Sequence, residues 1–191
     1  MIEYHITYKH IRNGYVKIDT DGSLDMTIPT SLRHDEKFKN LLIKKGEALL
    51  KKYNKKTHIQ MHGHDFVMLF GELVPKDELP VHKNLKQYLK ETLEEYARPM
   101  LDKYAQLIGY KYTKLIIRVT HSKRWSCTGD QHISLNLNLI HLHTQFIKYV
   151  VIHEVCHLKH KNHWPRFREL VEKLFPNHKQ VRKELRNFVL K

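Results

Sequence analysis

The sequence predicts an α+β chain, and three patterns carry that expectation. Alternating apolar and polar residues fill the first thirty positions. Helical periodicity marks several later stretches. An apolar run then leads into His153-Glu154-Val155-Cys156-His157 near the C-terminus. No Pro/Gly/Ser-rich linker interrupts the chain. The expected layout is a β-rich hairpin region with one basic helix, residues 1–80, packed on an α+β domain of residues 81–191.

Each element has a local reason. Val16-Lys17-Ile18-Asp19 and Leu24-Asp25-Met26-Thr27-Ile28 alternate as half-buried strands do, and Asp21-Gly22 between them reads as a hairpin turn. From Asp35 to Lys52, Phe38, Leu41, Leu42, Ala48 and Leu49 fall at helical spacings. Phe66 to Phe70 reads as a buried strand. Asn84 to Gly109 is helical, with Pro99 expected to kink or split it. Leu115 to Val119 and His132 to Leu137 read as strands, the second with one polar face. Thr144 can cap a helix from Gln145 to His160. Pro165 suits a first helical position, and a basic helix covers Lys179 to Leu190.

Composition narrows the class. With 41% hydrophobic and 28% charged residues over 191 positions, the chain can bury a core, and no apolar run is long enough to span a bilayer. Two cysteines cannot build a disulfide framework, and no secretory pattern is visible in Met1-Ile2-Glu3-Tyr4-His5, so a cytoplasmic protein is expected. Lys and Arg total 34 against 20 acidic residues, a net charge of +14. That balance reads either as attraction to polyanions or as a solubility feature. Lys44, Lys45, Lys51 and Lys52, with Lys179, Arg182, Lys183 and Arg186, are the residues that would carry nonspecific nucleic-acid binding.

The chemistry is concentrated at H-E-x-x-H. Residues four apart lie on one helix face about 5–6 Å from each other, so His153 and His157 can reach one metal ion. Glu154 beside them can take a proton from water held by that ion. Zinc brings such water from a pKa of about 15.7 to about 7, which makes hydroxide available as the nucleophile. Burying a helix that carries His and Glu is costly unless they are paired, and a metal would pair them.

A catalytic zinc takes three protein ligands and leaves a position open. His160 continues the same helical face, yet three ligands in a row on one straight helix spread too far along its axis. His163 follows Lys161-Asn162, where the helix can end, and precedes Trp164-Pro165; a turn there favours His163 as third ligand. Glu169 and Glu172 read better as faces of the next helix. Cys156 points away from the His153/His157 face and reads as core. Tyr149 could share that face or simply be buried.

The segment His153 to Phe167, H-E-V-C-H-L-K-H-K-N-H-W-P-R-F, resembles the YgjP-type family of zinc metallopeptidases, and more distantly the WLM and SprT-like proteases. In that pattern the third histidine falls on His163 and the following aromatic on Phe167. Trp125-Ser126-Cys127 resembles the family's Trp-Gly-Ser-Cys segment without its glycine, and Ile133-Ser134-Leu135-Asn136 resembles the strand that follows. The resemblance is specific from about Ile116 to Phe175. It implies a zincin-like domain, Zn2+ as cofactor, and a protein or peptide substrate whose carbonyl is attacked by zinc-bound hydroxide, with Glu154 as general base. By analogy with H-E-x-x-H proteases, Ile133–Leu137 reads either as an edge strand that holds substrate by main-chain pairing or as an ordinary sheet strand. Two other readings stand beside it. The same metal site on a cationic body could hydrolyse a nucleotide phosphoanhydride, or the chain could be a nucleic-acid-associated protein with a protease or structural metal site. No Gly-rich phosphate loop supports the former, and no nucleic-acid fold motif supports a pure binder.

Overall fold

The computed structural model describes residues 4–19, 23–80, 84–119, 125–127 and 131–190. It divides into two compact units, Met1–His58 and Ile59–Leu190.

In the first unit, β1 (Tyr4–Lys9), β2 (Tyr15–Ile18) and β3 (Leu24–Pro29) form a sheet in the order β1-β3-β2. The expected β2–β3 pairing is antiparallel, with Ile18 opposite Leu24; β1 joins the other side of β3 in parallel. The Asp21-Gly22 turn lies outside the described residues. Helix α1 (Glu36–Asn54) starts at Asp35, whose carboxylate accepts from the Phe38 N–H at 2.9 Å. Its buried positions, Leu42 and Gly46, face the sheet: a Cβ on Gly46 would meet Leu24 Cδ1 at 2.7 Å, so any larger residue here would require the Leu24 side chain to shift. Lys44, Lys45, Lys51 and Lys52 are exposed.

The short strand β4 (Thr57–Ile59) leads into the second unit. There β5 (Phe66–Leu69) and β6 (Glu72–Pro75) make a hairpin whose turn, Phe70-Gly71, has φ of 53° and 89°. Two successive positive φ values suit the right-handed twist of the strands. The Phe70 N–H donates to the Ile140 carbonyl at 2.7 Å, and the His141 ring lies 2.6 Å from the Met68 carbonyl. These bonds tie the hairpin to residues some seventy positions later, so the units divide at His58/Ile59 where the sequence suggested residue 80.

Helix α2 (Leu85–Leu107) continues through Pro99 and is not split there. Leu89, Leu93, Ala97, Leu101 and Ala105 recur every four residues and are all buried, so core packing spans the proline and offsets its missing hydrogen bond. Strands β7 (Lys114–Arg118), β8 (Trp125–Cys127) and β9 (His132–Asn136) pair in the order β7-β9-β8. β9 is parallel to β7 and antiparallel to β8. β9 is therefore the central strand and offers no free edge, which overturns its reading as an edge strand. Of its polar positions, Ser134 and Asn136 are buried and His132 is half-buried.

After a 3-10 turn at Leu137–His141 come α3 (Thr144–Lys159), α4 (Pro165–Leu174), α5 (His178–Asn187) and β10 (Phe188–Leu190). His143, and not Thr144, caps α3 by accepting from the Gln145 N–H. Pro165 holds the first turn of α4 as expected. α3 contacts α2, α4, α5 and β8. No helix among the described residues is long and apolar enough to cross a membrane.

Candidate metal centre

Helix α3 buries Phe146, Ile147 and every residue from Tyr149 to Cys156, because its sequence is apolar almost all round. Two of those residues are polar. His153 is 7% exposed and Glu154 1%. The helix ends at Lys159, and His160 turns the chain with extended backbone (φ −127°, ψ 103°). Lys161 and Asn162 complete the turn, and Pro165 starts α4 in a new direction.

That turn brings His163 back to the helix. Its Nε2 lies 3.1 Å from His153 Nε2. One ligand atom from each of His153, His157 and His163 falls within 4.8 Å of the others, the one such histidine or acidic group found among the described residues. The three side chains grade from buried to exposed, so the cluster has an inner and an outer side. His157 Nδ1 lies 3.0 Å from the His160 carbonyl. A carbonyl only accepts, so Nδ1 carries the proton and the Nε2 lone pair is left free to bind a metal. His160 thus enters through its backbone while its ring stays outside the cluster. Glu169 is exposed, and Glu172 pairs with Lys179 at 2.9 Å.

Burial sets the protonation of this cluster. Desolvation, reinforced by the neighbouring His157 and His163, lowers His153 to about 3. Burial likewise lowers His157 and His163. All three are therefore neutral, as metal ligands must be. Burial alone raises Glu154 to about 8, and both its carboxylate oxygens are buried without a hydrogen-bond partner. Three converging imidazoles, with orphaned oxygens on the residue next to His153, fit a cation. The donor set of three histidines suits zinc with a position left open.

Around the cluster, Tyr149 is buried one turn before His153, its ring 5.7 Å away. Cys156 is fully buried and its thiol is pushed up to about 12, chiefly by burial, which agrees with its reading as core. The side chain of Cys127 lies outside the described residues. Two features escaped the sequence reading. His178, at the start of α5, is buried with an unpartnered Nδ1, and Arg168 and Arg182 bring positive charge towards His163. Only the basic character of these arginines was visible in sequence.

Residues 68–188 match the family model described as "YgjP-like, metallopeptidase domain", a stretch that lies wholly within the second unit. No curated protein matches. Among solved structures, the metallopeptidase zymogen abylysin of Pyrococcus abyssi is similar at 23% identity, over 47% of this chain and 90% of that one, with a TM-score of 0.43. The zymogen jannalysin of Methanocaldococcus jannaschii is similar at 17% identity, over 49% and 92%, with a TM-score of 0.42.

Proposed function

Because this chain belongs to the YgjP-like metallopeptidase family, we propose that it hydrolyses peptide bonds, with zinc held by His153, His157 and His163 and with Glu154 as general base. The observation that carries the reading is the convergence of the three imidazoles, together with the buried, unsatisfied carboxylate of Glu154, the residue next to His153 in sequence. We assign this activity to the second unit, which contains the family match and the whole cluster.

Zinc in this site would supply Lewis acidity and make an entering water more acidic. The chain's own residues do the rest. The His160 carbonyl fixes the His157 tautomer. Glu154 takes the proton of the attacking water and returns it to the leaving amine, as a general base and then a general acid. The apolar walls of α3 keep bulk water from the carboxylate. Since β9 is central, an extended substrate would pair instead with the outer edge of β8.

The test combines metal content with turnover. Elemental analysis of protein purified without chelator should find one zinc per chain. Glu154→Gln should keep that zinc and lose peptide hydrolysis by about 10²- to 10⁴-fold. Near-normal turnover in this variant would remove Glu154 from the mechanism.

Hydrolysis of a phosphoanhydride is the second reading. It draws support from Arg168 and Arg182, whose charges reach the cluster and would attract phosphate. Parallel assays on unfolded protein and on nucleoside triphosphates separate the two by which substrate the zinc-loaded protein consumes.

A further inference from the structure

Phe167 is 3% exposed on α4, four residues beyond His163. Its ring meets all three histidines of the cluster. The centroid distance is 4.5 Å to His157, with the planes 30° apart, a stacked arrangement. It is 5.0 Å to His153 and 4.8 Å to His163, at 76° and 75°, both edge contacts. Among the other aromatic side chains described, only Tyr149 has a ring contact with this cluster, and it reaches His153 alone.

A histidine side chain has two rotatable bonds, and a ligand set of three must freeze all of them. Freezing a side chain costs rotamer entropy. Where nothing else orders the rings, metal binding must bear that cost. Here the flat face of Phe167 closes the space into which His157 would tilt, and its edges bound the swing of His153 and His163.

We propose that Phe167 is a positioning residue that holds the three imidazoles in their converged arrangement and thereby raises the protein's affinity for zinc. The proposal rests on the reading of the cluster as a zinc site. Phe167 supplies no ligand atom; it acts through the rings it packs against.

The test is a competition titration of the full-length, metal-free protein with zinc and a chromogenic chelator. Wild-type protein should take up one zinc; failure to do so would sink the zinc site itself. Phe167→Leu keeps apolar bulk but loses the flat ring, and should bind zinc about 10- to 100-fold more weakly, the loss typical when a ligand's supporting contact is removed. Phe167→Met fills the same space flexibly, should show the same loss, and decides the matter if the leucine variant misfolds. Val171→Ala removes bulk at another buried position one turn further along α4 and should leave zinc affinity within about threefold of wild type. Wild-type affinity in a folded Phe167 variant, or an equal loss in Val171→Ala, would overturn the proposal by showing that α4 acts only as core.

Discussion

Replacing Glu154 by glutamine should change how the stability of the metal-free protein depends on pH. Burial raises this carboxyl from 4.5 to about 8. Between those values the folded chain keeps a proton that the unfolded chain has released. The unfolded state binds one proton fewer, so stability falls by about 1.36 kcal/mol per pH unit as pH rises. The slope halves near the folded pKa, which leaves a loss of roughly 2 kcal/mol between about pH 6 and about pH 8. His153 acts in the opposite direction. Its folded pKa of about 3 means that stability is lost as pH falls below its ordinary 6.5, but this contribution is common to both proteins and cancels in their difference. Glutamine has the same shape and no titration. Urea denaturation of chelator-treated protein, followed by tryptophan fluorescence, measures the difference; Trp125 and Trp164 both lie in the second unit. The advantage of Glu154→Gln should grow by roughly 2 kcal/mol over that range. A difference that stays constant with pH would mean that Glu154 is already ionised in the folded protein.

Three further outcomes follow from the same geometry. His163→Ala should lose most of its zinc, whereas His160→Ala should bind it nearly as wild type, because the group that touches His157 is a backbone carbonyl; chelator competition reads both. Cys156, fully buried and with its thiol pushed up to about 12, should resist iodoacetamide at about pH 8 until the chain is unfolded, as peptide mapping would reveal. If the exposed Lys44, Lys45, Lys51 and Lys52 of α1 each neutralise a phosphate of nucleic acid, fluorescence anisotropy with a labelled oligonucleotide should show affinity falling about 10²-fold between about 50 mM and about 200 mM salt. Absence of binding at the lower salt would leave the charge as a solubility feature.

Much of the site was legible because its geometry is local. The i, i+4 spacing of His153 and His157, the stop after Lys159 and the restart at Pro165 are all short-range, and they suffice to bring His163 round. The choice between His160 and His163 is a question of helix length, and the structure groups His163, not His160, with His153 and His157. What stayed hidden depends on distant partners. β9 alternates as though one face met solvent, yet Ser134 and Asn136 are buried; Asn136 uses its side chain to accept from the Asn138 N–H at 3.0 Å. Nothing within a five-residue strand tells whether its edges are free. The β5–β6 hairpin was grouped with the N-terminal region because the bonds that attach it elsewhere, from Phe70 to Ile140 and from His141 to Met68, span about seventy residues. That Pro99 does not split its helix has a similar reason. Its local preference is to break a helix, and the buried row from Leu89 to Ala105 outweighs it.

The polar load of α3 explains why fold and chemistry meet in that helix. A carboxyl 1% exposed with both oxygens unsatisfied carries a desolvation penalty of the order of several kcal/mol when ionised, so the metal-free helix keeps it protonated. The same burial keeps the three histidines neutral. One environment thus gives two unlike results: imidazoles in the form that binds a metal, and a carboxyl in the form that cannot act as a base. Only positive charge placed among the imidazoles would reverse the second without disturbing the first, since it favours carboxylate over carboxylic acid and needs the imidazoles neutral. On the proposed reading, Glu154 becomes a base when the site is loaded and is idle otherwise. A carboxylate hydrogen-bonded within the core would lack that property, because it would be ionised and satisfied in either state. The unsatisfied oxygens of Glu154 are thus what ties its basicity to occupancy of the site.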